Sequence, residues 1–335
     1  MDVADVRALG RALGSTLVTH MTTAQITVLM TVYDTSVGML RQAVDSILSQ
    51  TFADFEFLIV DDGSRDQLVR SFLVERAKRD ARIRVAWEPH RGLTTSLNRG
   101  LALATGRLIA RQDADDWSGP SRLERQLAWF RVHPEAAVLG TGAWTHQQDG
   151  SPLWRLHLPV THAEILKAFP QGNPFVHGSV MFSRAQAAAA GGYREEFPCS
   201  QDYDFFWRLA EQGIAGNLSE ALYHYRYTCG SVSAERAGEQ ARAHLAIRRL
   251  GEARGRGEVE DLGRALEDAG ETGGAAWRVQ LKQADHRMLA GDYRGAWIAY
   301  SGLLEAHPVN PLVWAKLARL GVFRAFPKLR EACFR

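Results

Sequence analysis

Short apolar runs alternate with stretches of helical periodicity from residue 26 onward, and this alternation restricts the fold more than any other feature. Runs of strand length occupy 26–32, 55–60, 83–87 and 107–111, and helical patterns fill 40–48, 65–78 and 94–104. Two parallel strands need a crossover connection, which is usually a helix. We therefore predict an α/β fold built on a mostly parallel sheet.

The pattern continues less regularly toward residue 227. Pro120 suits the first turn of a helix that runs to about His133, because that turn does not need the missing N–H. Further strands are predicted at 137–140, 176–182 and 222–227, with a helix at 202–212 that ends at Gly213 as a C-cap. Only helical spacing remains after about residue 234. The chain thus divides into a leader (1–24), an α/β domain (25–233) and a helical region (234–335).

The helical region carries two patterns that each allow two interpretations. The segment from Gly291 to Pro308 is similar to one tetratricopeptide repeat, but a stack needs about three repeats, so a helical hairpin is the simpler prediction. Residues 316–335 mix lysine and arginine with leucine and phenylalanine. This mixture suits either contact with an anionic membrane surface or a terminal helix packed on its own domain.

Composition excludes several classes of function. The chain has 40 lysine and arginine residues against 38 aspartate and glutamate residues, so its charge gives no overall reason to expect a nucleic acid partner. No apolar run approaches the roughly 20 residues of a membrane span, and no signal peptide core is present near the start. The 3 cysteines are too few and scattered for a disulfide framework. We expect a cytoplasmic location, at most peripheral on the inner face of the membrane.

Polar and acidic residues follow three of the predicted strands. Thr31 and Tyr33 come at the end of the first, Asp61-Asp62-Gly63-Ser64 after the second, and Asp113 and Asp115 after the fourth. Ligands of an open parallel sheet bind beyond the carboxyl ends of its strands. Carboxylates at i and i+2 of an extended segment project to the same side, which would bring Asp113 and Asp115 to one hard cation. Taken alone, each segment is better explained as a turn or a helix cap.

These segments together resemble glycosyltransferase family 2 in order and spacing, over about residues 26–233. The matching segments are Thr31 with Tyr33, Gln50-Thr51-Phe52, 57–64, Arg91-Gly92-Leu93, Leu97-Asn98-Arg99-Gly100, 109–116, 173–179, Gly192-Tyr193-Arg194 and Gln201-Asp202-Tyr203-Asp204. The resemblance implies a GT-A type nucleotide-binding sheet flanked by helices, here with a helical appendage. It also implies a hexosyltransferase that inverts the anomeric carbon. The donor would be a nucleoside-diphosphate sugar, usually of UDP, and the acceptor a hydroxyl of a glycan or glycolipid in surface polysaccharide synthesis.

The resemblance also assigns roles to matching positions. The residues implied to contact the donor are Thr31, Tyr33, Asp62, Arg91, Asn98, Asp113, Asp115 and His177. Among them, Thr31, Tyr33 and Asp62 would hold the nucleobase. Asp113 and Asp115 would carry Mn²⁺ or Mg²⁺ at the diphosphate. For Arg91 and His177 the alternatives are a solvated arginine and an ordinary structural histidine.

Asp202 stands where the family carries its general base. Its alternative role is an N-cap of the following helix, and Asp204 competes with it for the catalytic role. The family commonly has a histidine two residues after an arginine late in the domain, and Thr228 replaces it here. Either His224 or phosphate oxygens and water would then complete the metal coordination.

Three other functions were weighed against this prediction. A dinucleotide-binding oxidoreductase would need its glycine fingerprint after the first strand, whereas Gly140-Thr141-Gly142 comes late and has Thr145 in the third place. A sugar nucleotidyltransferase would need an activating lysine after the first strand, and residues 31–38 contain none. An inactive binding protein of the same fold would have no use for the retained carboxylates, and measured turnover distinguishes it.

Overall fold

The computed structural model describes residues 24–229, 236–271, 276–306 and 308–325. The predicted leader therefore lies outside the described residues except for Ala24, and so does the basic segment beyond residue 325. Within the described residues, no helix is both long enough and apolar enough to cross a membrane.

One mixed sheet forms the centre of the protein. Its strands among the described residues are β1 (Ile26–Val32), β2 (Phe55–Asp62), β3 (Ile83–Glu88), β4 (Leu108–Asp113), β5 (Trp117–Ser118), β6 (Ala136–His146), β7 (Pro152–Leu156), β8 (Met181–Ser183) and β9 (Ile214–Arg226). The order is β3-β2-β1-β4-β8-β6-β9-β5, with β7 paired to β6. Strands β1 to β4 are parallel, whereas β8 is antiparallel to both neighbours.

Helices cover both faces of this sheet, which confirms the predicted fold class. Within the α/β part they are α1 (Val37–Leu48), α2 (Gln67–Arg79), α3 (Leu93–Leu103), α4 (Arg122–Val132), α5 (His162–Ala168), α6 (Arg184–Ala189) and α7 (Gln201–Gln212). Alternate residues of β1 enter two cores: Met30 packs with α1, α2 and α4, and Leu29 packs with α3 and α7. All of β1 is buried, as expected for a strand covered on both faces.

The helical region contains α8 (Ala237–Gly255), α9 (Leu262–Glu271), α10 (Ala276–Ala290), α11 (Tyr293–Ala306) and α12 (Pro311–Ala325). Ile247 of α8 and Ala265 of α9 belong to the same apolar core as α7. Helices α10 to α12 share a smaller core around Tyr300. Gly291 joins α10 to α11 at a φ of +92°, which a residue with a side chain adopts only with strain.

The predicted strand over 176–182 is wrong in its first half. His177–Ser179 form a turn of 3₁₀ helix, and β8 begins only at Met181. The turn is closed by the Ser179 hydroxyl, which donates to the Val176 carbonyl at 2.9 Å. A side chain at position 178 would overlap Tyr223 and Asp113, so glycine permits this close approach.

Candidate active site

Thr31 and Asp113 are held together by a buried arginine. They are register partners at the carboxyl ends of β1 and β4. The Arg111 guanidinium, only 1% exposed, donates to Asp113 Oδ1 at 2.6 Å and to Thr31 Oγ1 at 3.4 Å. In the sequence, the one signal for Arg111 is a charged residue directly after the apolar residues 108–110 of a predicted buried strand, where an ionised group needs a partner.

Tyr33 and Asp62 both contact His90, a residue that the sequence did not indicate as part of the site. The Tyr33 ring stacks on His90 with centroids 3.9 Å apart, and His90 Nδ1 lies 2.9 Å from Asp62 Oδ2. The Asp62 carboxylate also accepts from the backbone N–H groups of Arg91 at 2.8 Å and Gly92 at 3.0 Å. Asp62 therefore fixes the loop before α3, while the Arg91 side chain is exposed.

Asp115 lies in the turn after β4 and not in an extended segment, so the expected i, i+2 strand geometry with Asp113 is wrong. Its half-buried carboxylate accepts from the Thr228 hydroxyl at 3.3 Å. Burial, and then the nearby charge of Asp113, raise the pKa of Asp115 to about 6. A carboxyl group that resists ionisation beside a second carboxylate is one that a bound cation would stabilise.

Asp116 connects this turn to β9. Its buried carboxyl accepts from the Tyr223 hydroxyl at 2.9 Å and from the Arg226 backbone N–H at 2.6 Å. Burial raises the pKa of Asp116, with further contributions from Asp115 and Asp113. The structure therefore uses Asp116 to hold the two aspartates before it against β9.

His224, one of the two alternatives for completing the metal coordination, takes part in an aromatic cluster. The His146 Nδ1 atom lies 3.0 Å from the Gly150 carbonyl and must donate to it, so His146 Nε2 accepts from His224 Nδ1 at 3.0 Å. The His224 ring stacks on Trp117, with centroids 4.8 Å apart. Burial lowers the pKa of His224 to about 4. The Arg226 guanidinium also lies over the Trp117 ring, 4.9 Å from its centroid.

The donor set at this edge suits a hard cation. Asp113 and Asp115 offer carboxylate oxygens, which Mg²⁺ and Mn²⁺ prefer, and Mg²⁺ commonly keeps water and phosphate oxygens as its remaining ligands. Among the described residues, no three histidine, cysteine, aspartate or glutamate side chains are grouped to hold a metal. A site here would thus depend on the nucleotide for part of its coordination.

Thr228, which replaces the family histidine, connects the site to the helical region. Its hydroxyl contacts Asp115, and its carbonyl accepts from His286 Nε2 of α10 at 2.8 Å. His286 is buried, and its ring packs edge-on against Tyr227 with centroids 5.4 Å apart. Helix α10 therefore supports the segment that touches Asp115. Sequence reasoning had no signal for this contact.

Asn98 is hydrogen-bonded to the backbone of Tyr193. Its side-chain amide donates to the Tyr193 carbonyl at 2.8 Å and accepts from the Tyr193 N–H at 2.9 Å. The Tyr193 hydroxyl in turn lies 3.3 Å from His177 Nε2. Burial and then Arg111 lower the pKa of His177, against the opposite effect of the Asp113 and Asp202 carboxylates. Asn98 is thus connected to His177 through Tyr193.

Asp202 and Asp204 have different environments at the start of α7. The Asp202 side chain accepts one hydrogen bond, from Asn173 Nδ2 at 2.8 Å. The N-cap position belongs to Ser200, so the Asp202 side chain is not the cap. Asp202 keeps acceptor capacity that the described residues do not fill.

Asp204, in contrast, is fully buried in an ion-pair network. It accepts from Arg208 Nε at 2.9 Å and Nη2 at 2.6 Å, and from Arg194 Nη1 at 3.2 Å. These bonds hold α7 to the loop before it, because Arg208 also donates to the Gly192 carbonyl at 2.8 Å. Asp204 therefore has a structural role.

Comparison with protein families and relatives shows which proteins this chain resembles. The family model described as glycosyl transferase family 2 matches residues 27–191. The putative glycosyltransferase EpsE of Bacillus subtilis is 34% identical over 60% of this chain and 73% of its own length. The O-antigen biosynthesis glycosyltransferase WbnJ of Escherichia coli is 32% identical over 60% of this chain and 79% of its own.

Two solved structures share the fold across most of the chain. The crystal structure of S. aureus TarS 1-349 in complex with UDP-GlcNAc has a TM-score of 0.56 at 16% identity, covering 90% of this chain and 87% of that one. The mannosyltransferase PcManGT from Pyrobaculum calidifontis, in complex with GDP-Man and Mn²⁺, has a TM-score of 0.54 at 17% identity. The match covers 92% of this chain and 89% of the mannosyltransferase chain.

Proposed function

The chain belongs to glycosyltransferase family 2 and has a GT-A fold, and from that premise we propose that it is a metal-dependent, inverting hexosyltransferase. The donor is a nucleoside-diphosphate sugar, with UDP as the first candidate. The acceptor is a hydroxyl of a glycan or glycolipid. Solved structures of the same fold that hold UDP-GlcNAc or GDP-Man support the donor class.

One observation carries the proposal: the acidic residues form two groups with different environments. Asp113 and Asp115 lie close together at the end of β4. Arg111 donates a hydrogen bond to Asp113, and burial raises the pKa of Asp115. Asp202 lies at the start of α7 with a single side-chain donor. Sugar transfer requires such a division, because negative charge develops on the leaving diphosphate while a proton leaves the acceptor.

The chemistry follows from this division. The acceptor oxygen forms a bond to the anomeric carbon as the bond from that carbon to the diphosphate oxygen breaks. Asp202 takes the acceptor proton, and the bonding electrons leave on the diphosphate. A single displacement of this kind inverts the anomeric centre. Mn²⁺ or Mg²⁺ held by Asp115 and Asp113 would supply positive charge to the leaving group.

The remaining donor-side residues hold the nucleoside. Tyr33 is partly exposed and stacked on His90, so its ring is positioned to pack against a nucleobase. Asp62 and Thr31 lie at the same edge of the sheet. Relatives named for O-antigen and amylovoran biosynthesis support a role in building surface polysaccharide.

The test is Mn²⁺-dependent transfer or hydrolysis across UDP-, GDP- and dTDP-sugars. Wild type is compared with Asp115→Ala, Asp202→Asn and the matched control Asp45→Asn, whose carboxylate pairs with Arg76 on the surface. We expect turnover of one donor, lost in both site variants and kept in the control, while Asp202→Asn still binds nucleotide.

Two other outcomes would change the assignment. Nucleotide binding without turnover, across a broad set of acceptors, would favour an inactive binding protein of the same fold. Formation of a nucleotide sugar from a sugar phosphate and a nucleoside triphosphate would favour a nucleotidyltransferase. Absence of nucleotide binding in wild type would reject the proposal.

A further inference from the structure

A second opening lies beside the proposed base and is built partly from the helical region. This cavity of about 270 Å³ is bordered by the loop ending at Gly172, by Tyr203 of α7 and by α8. Tyr203 follows Asp202 in the chain. Gly172 precedes Asn173, whose side chain donates to Asp202. The lining of this cavity therefore includes the chain neighbours of Asp202 and of its hydrogen-bond donor Asn173.

The α8 side of this cavity is cationic. Ala241, Leu245 and Arg248 recur at i, i+4 and i+7, so one face of α8 lines it, and Arg242 and His244 flank that stripe. No aspartate or glutamate is among the described residues that line it. Two arginines at a cavity whose described lining contains no carboxylate attract an anion.

Neither arginine is committed to a strong ion pair. Arg248 lies 3.6 Å from Glu252 with both side chains about half exposed, a geometry that contributes little. Within the described part of the chain, Arg242 pairs with no carboxylate. By comparison, Arg208 is paired with the buried Asp204, and Arg194 is paired with both Asp204 and Glu260. The arginines at the cavity thus differ from the structural arginines nearby.

The anion that fits best is a phosphate. Guanidinium groups match phosphate oxygens in a bidentate geometry, and the cavity volume equals that of roughly nine waters at about 30 Å³ each. That is room for a phosphate with part of a sugar. The site is separate from the donor diphosphate, which belongs at the carboxyl ends of β1, β2 and β4.

We propose that this cavity binds a phosphate group carried by the acceptor, with Arg242 and Arg248 as its ligands. The inference rests on the proposed function, because it treats Asp202 as the base that faces the acceptor. The phosphate is not consumed: only the hydroxyl reacts, and the phosphate orients it. The natural acceptor is then a phosphate-bearing glycan or glycolipid, selected by α8.

The first experiment uses inorganic phosphate as the probe, titrated calorimetrically at constant ionic strength without divalent cation. The bare carboxylates of Asp113 and Asp115 then repel phosphate from the donor site. Wild type is compared with Arg242→Gln, Arg248→Gln and the matched control Arg264→Gln, which removes an exposed arginine of α9 outside the cavity. We expect each cavity variant to bind phosphate about 10-fold more weakly, with the control unchanged. Equal binding by all four proteins would overturn the proposal.

The second experiment compares two acceptors that differ by one phosphate, each with and without an alkyl chain. Wild type should show about 10-fold higher kcat/KM for the phosphate-bearing sugar, and Arg242→Gln should abolish that preference. The alkyl arms distinguish a lipid-borne acceptor from a soluble one. No preference for phosphate in wild type would refute the assignment.

Donor hydrolysis without acceptor and nucleotide binding are measured on the same preparations. They should be equal in wild type and the arginine variants, because these side chains lie outside the donor site. If wild type neither binds nucleotide nor hydrolyses any donor, the proposed function fails and the acceptor assignment fails with it. If the donor reactions are intact but phosphate is ignored, only the acceptor assignment fails.

Discussion

Replacing Asp202 and Asp204 separately by asparagine should separate catalysis from stability, although the two residues are only one position apart. Asp204 is fully buried, and its two oxygens accept three bonds from Arg208 and Arg194. Asparagine loses the charge and turns one oxygen into a donor that faces a guanidinium. Arg208, itself 7% exposed, would be left without its counter-charge.

The expected cost for Asp204→Asn is large. Removing one partner of a buried ion pair costs about 3–5 kcal/mol of unfolding free energy. At about 2–4 °C per kcal/mol for a domain of this size, the melting temperature should fall by about 10 °C. Asp202→Asn keeps an oxygen that can accept from Asn173, so its unfolding free energy should change by less than about 0.5 kcal/mol. Its turnover should fall by about 10² to 10⁴, the usual contribution of a general base.

Thermal unfolding followed by circular dichroism, together with transfer assays well below the melting temperature, measures both effects. The reasoning is refuted if Asp204→Asn melts with wild type but loses transfer while Asp202→Asn keeps it. That result would exchange the two roles. A loss of stability in both variants would show that Asp202 is part of the same buried network.

Three further perturbations test the donor side. Thr228→His introduces the imidazole that the family commonly has at this position, next to Asp115. It should strengthen Mn²⁺-dependent nucleotide binding about 10-fold. An unchanged affinity for the nucleotide would mean that the side chain at position 228 does not reach the metal. Asn98→Ala should cost about 1–3 kcal/mol of unfolding free energy, because it removes two hydrogen bonds to Tyr193, and the KM for the donor should stay near the wild-type value. A raised KM for the donor without a loss of stability would instead indicate that Asn98 contacts the donor. Because the folded-state pKa of Asp115 is raised from about 4 to about 6, its ionisation lowers the stability of the metal-free protein as pH rises through that window. Mn²⁺ with nucleoside diphosphate should therefore raise the melting temperature above pH 6. The effect should be lost below pH 6, where a proton competes with Mn²⁺ for the Asp115 carboxylate. An equal rise in melting temperature at pH 5 and pH 8, or a rise in the Asp115→Ala variant, would contradict the assignment.

The elements that sequence predicted correctly are those with a local cause. Strands β1 to β4 and helices α1 to α3 follow from apolar periodicity within single segments, and their parallel order follows from the alternation itself. That order is what brings Thr31 beside Asp113. The helical character of the last part of the chain also follows from its spacing.

The parts that sequence could not predict depend on contacts between distant residues. His90 reaches Asp62 only because the loop before α3 folds back on β2. The turn at His177–Ser179 replaced a predicted strand because Gly178 must pass close to Tyr223. Only the family resemblance favours Asp202 over Asp204 in the sequence, and the positions of Arg208 and Arg194 then give Asp204 a structural role.

The helical region contributes to both sides of the proposed site by different contacts. On the donor side, His286 supports the Thr228 carbonyl, and Thr228 contacts Asp115. On the acceptor side, α8 packs in the same core as α7 and lines the cavity beside Asp202. Neither of these contacts involves Tyr33 and its stacking partner His90, where we propose that the nucleobase binds. Substitutions in the helical region are therefore expected to change acceptor choice and metal affinity before they change nucleotide choice, because the proposed nucleotide-binding residues lie at strand ends that the sheet itself holds in place.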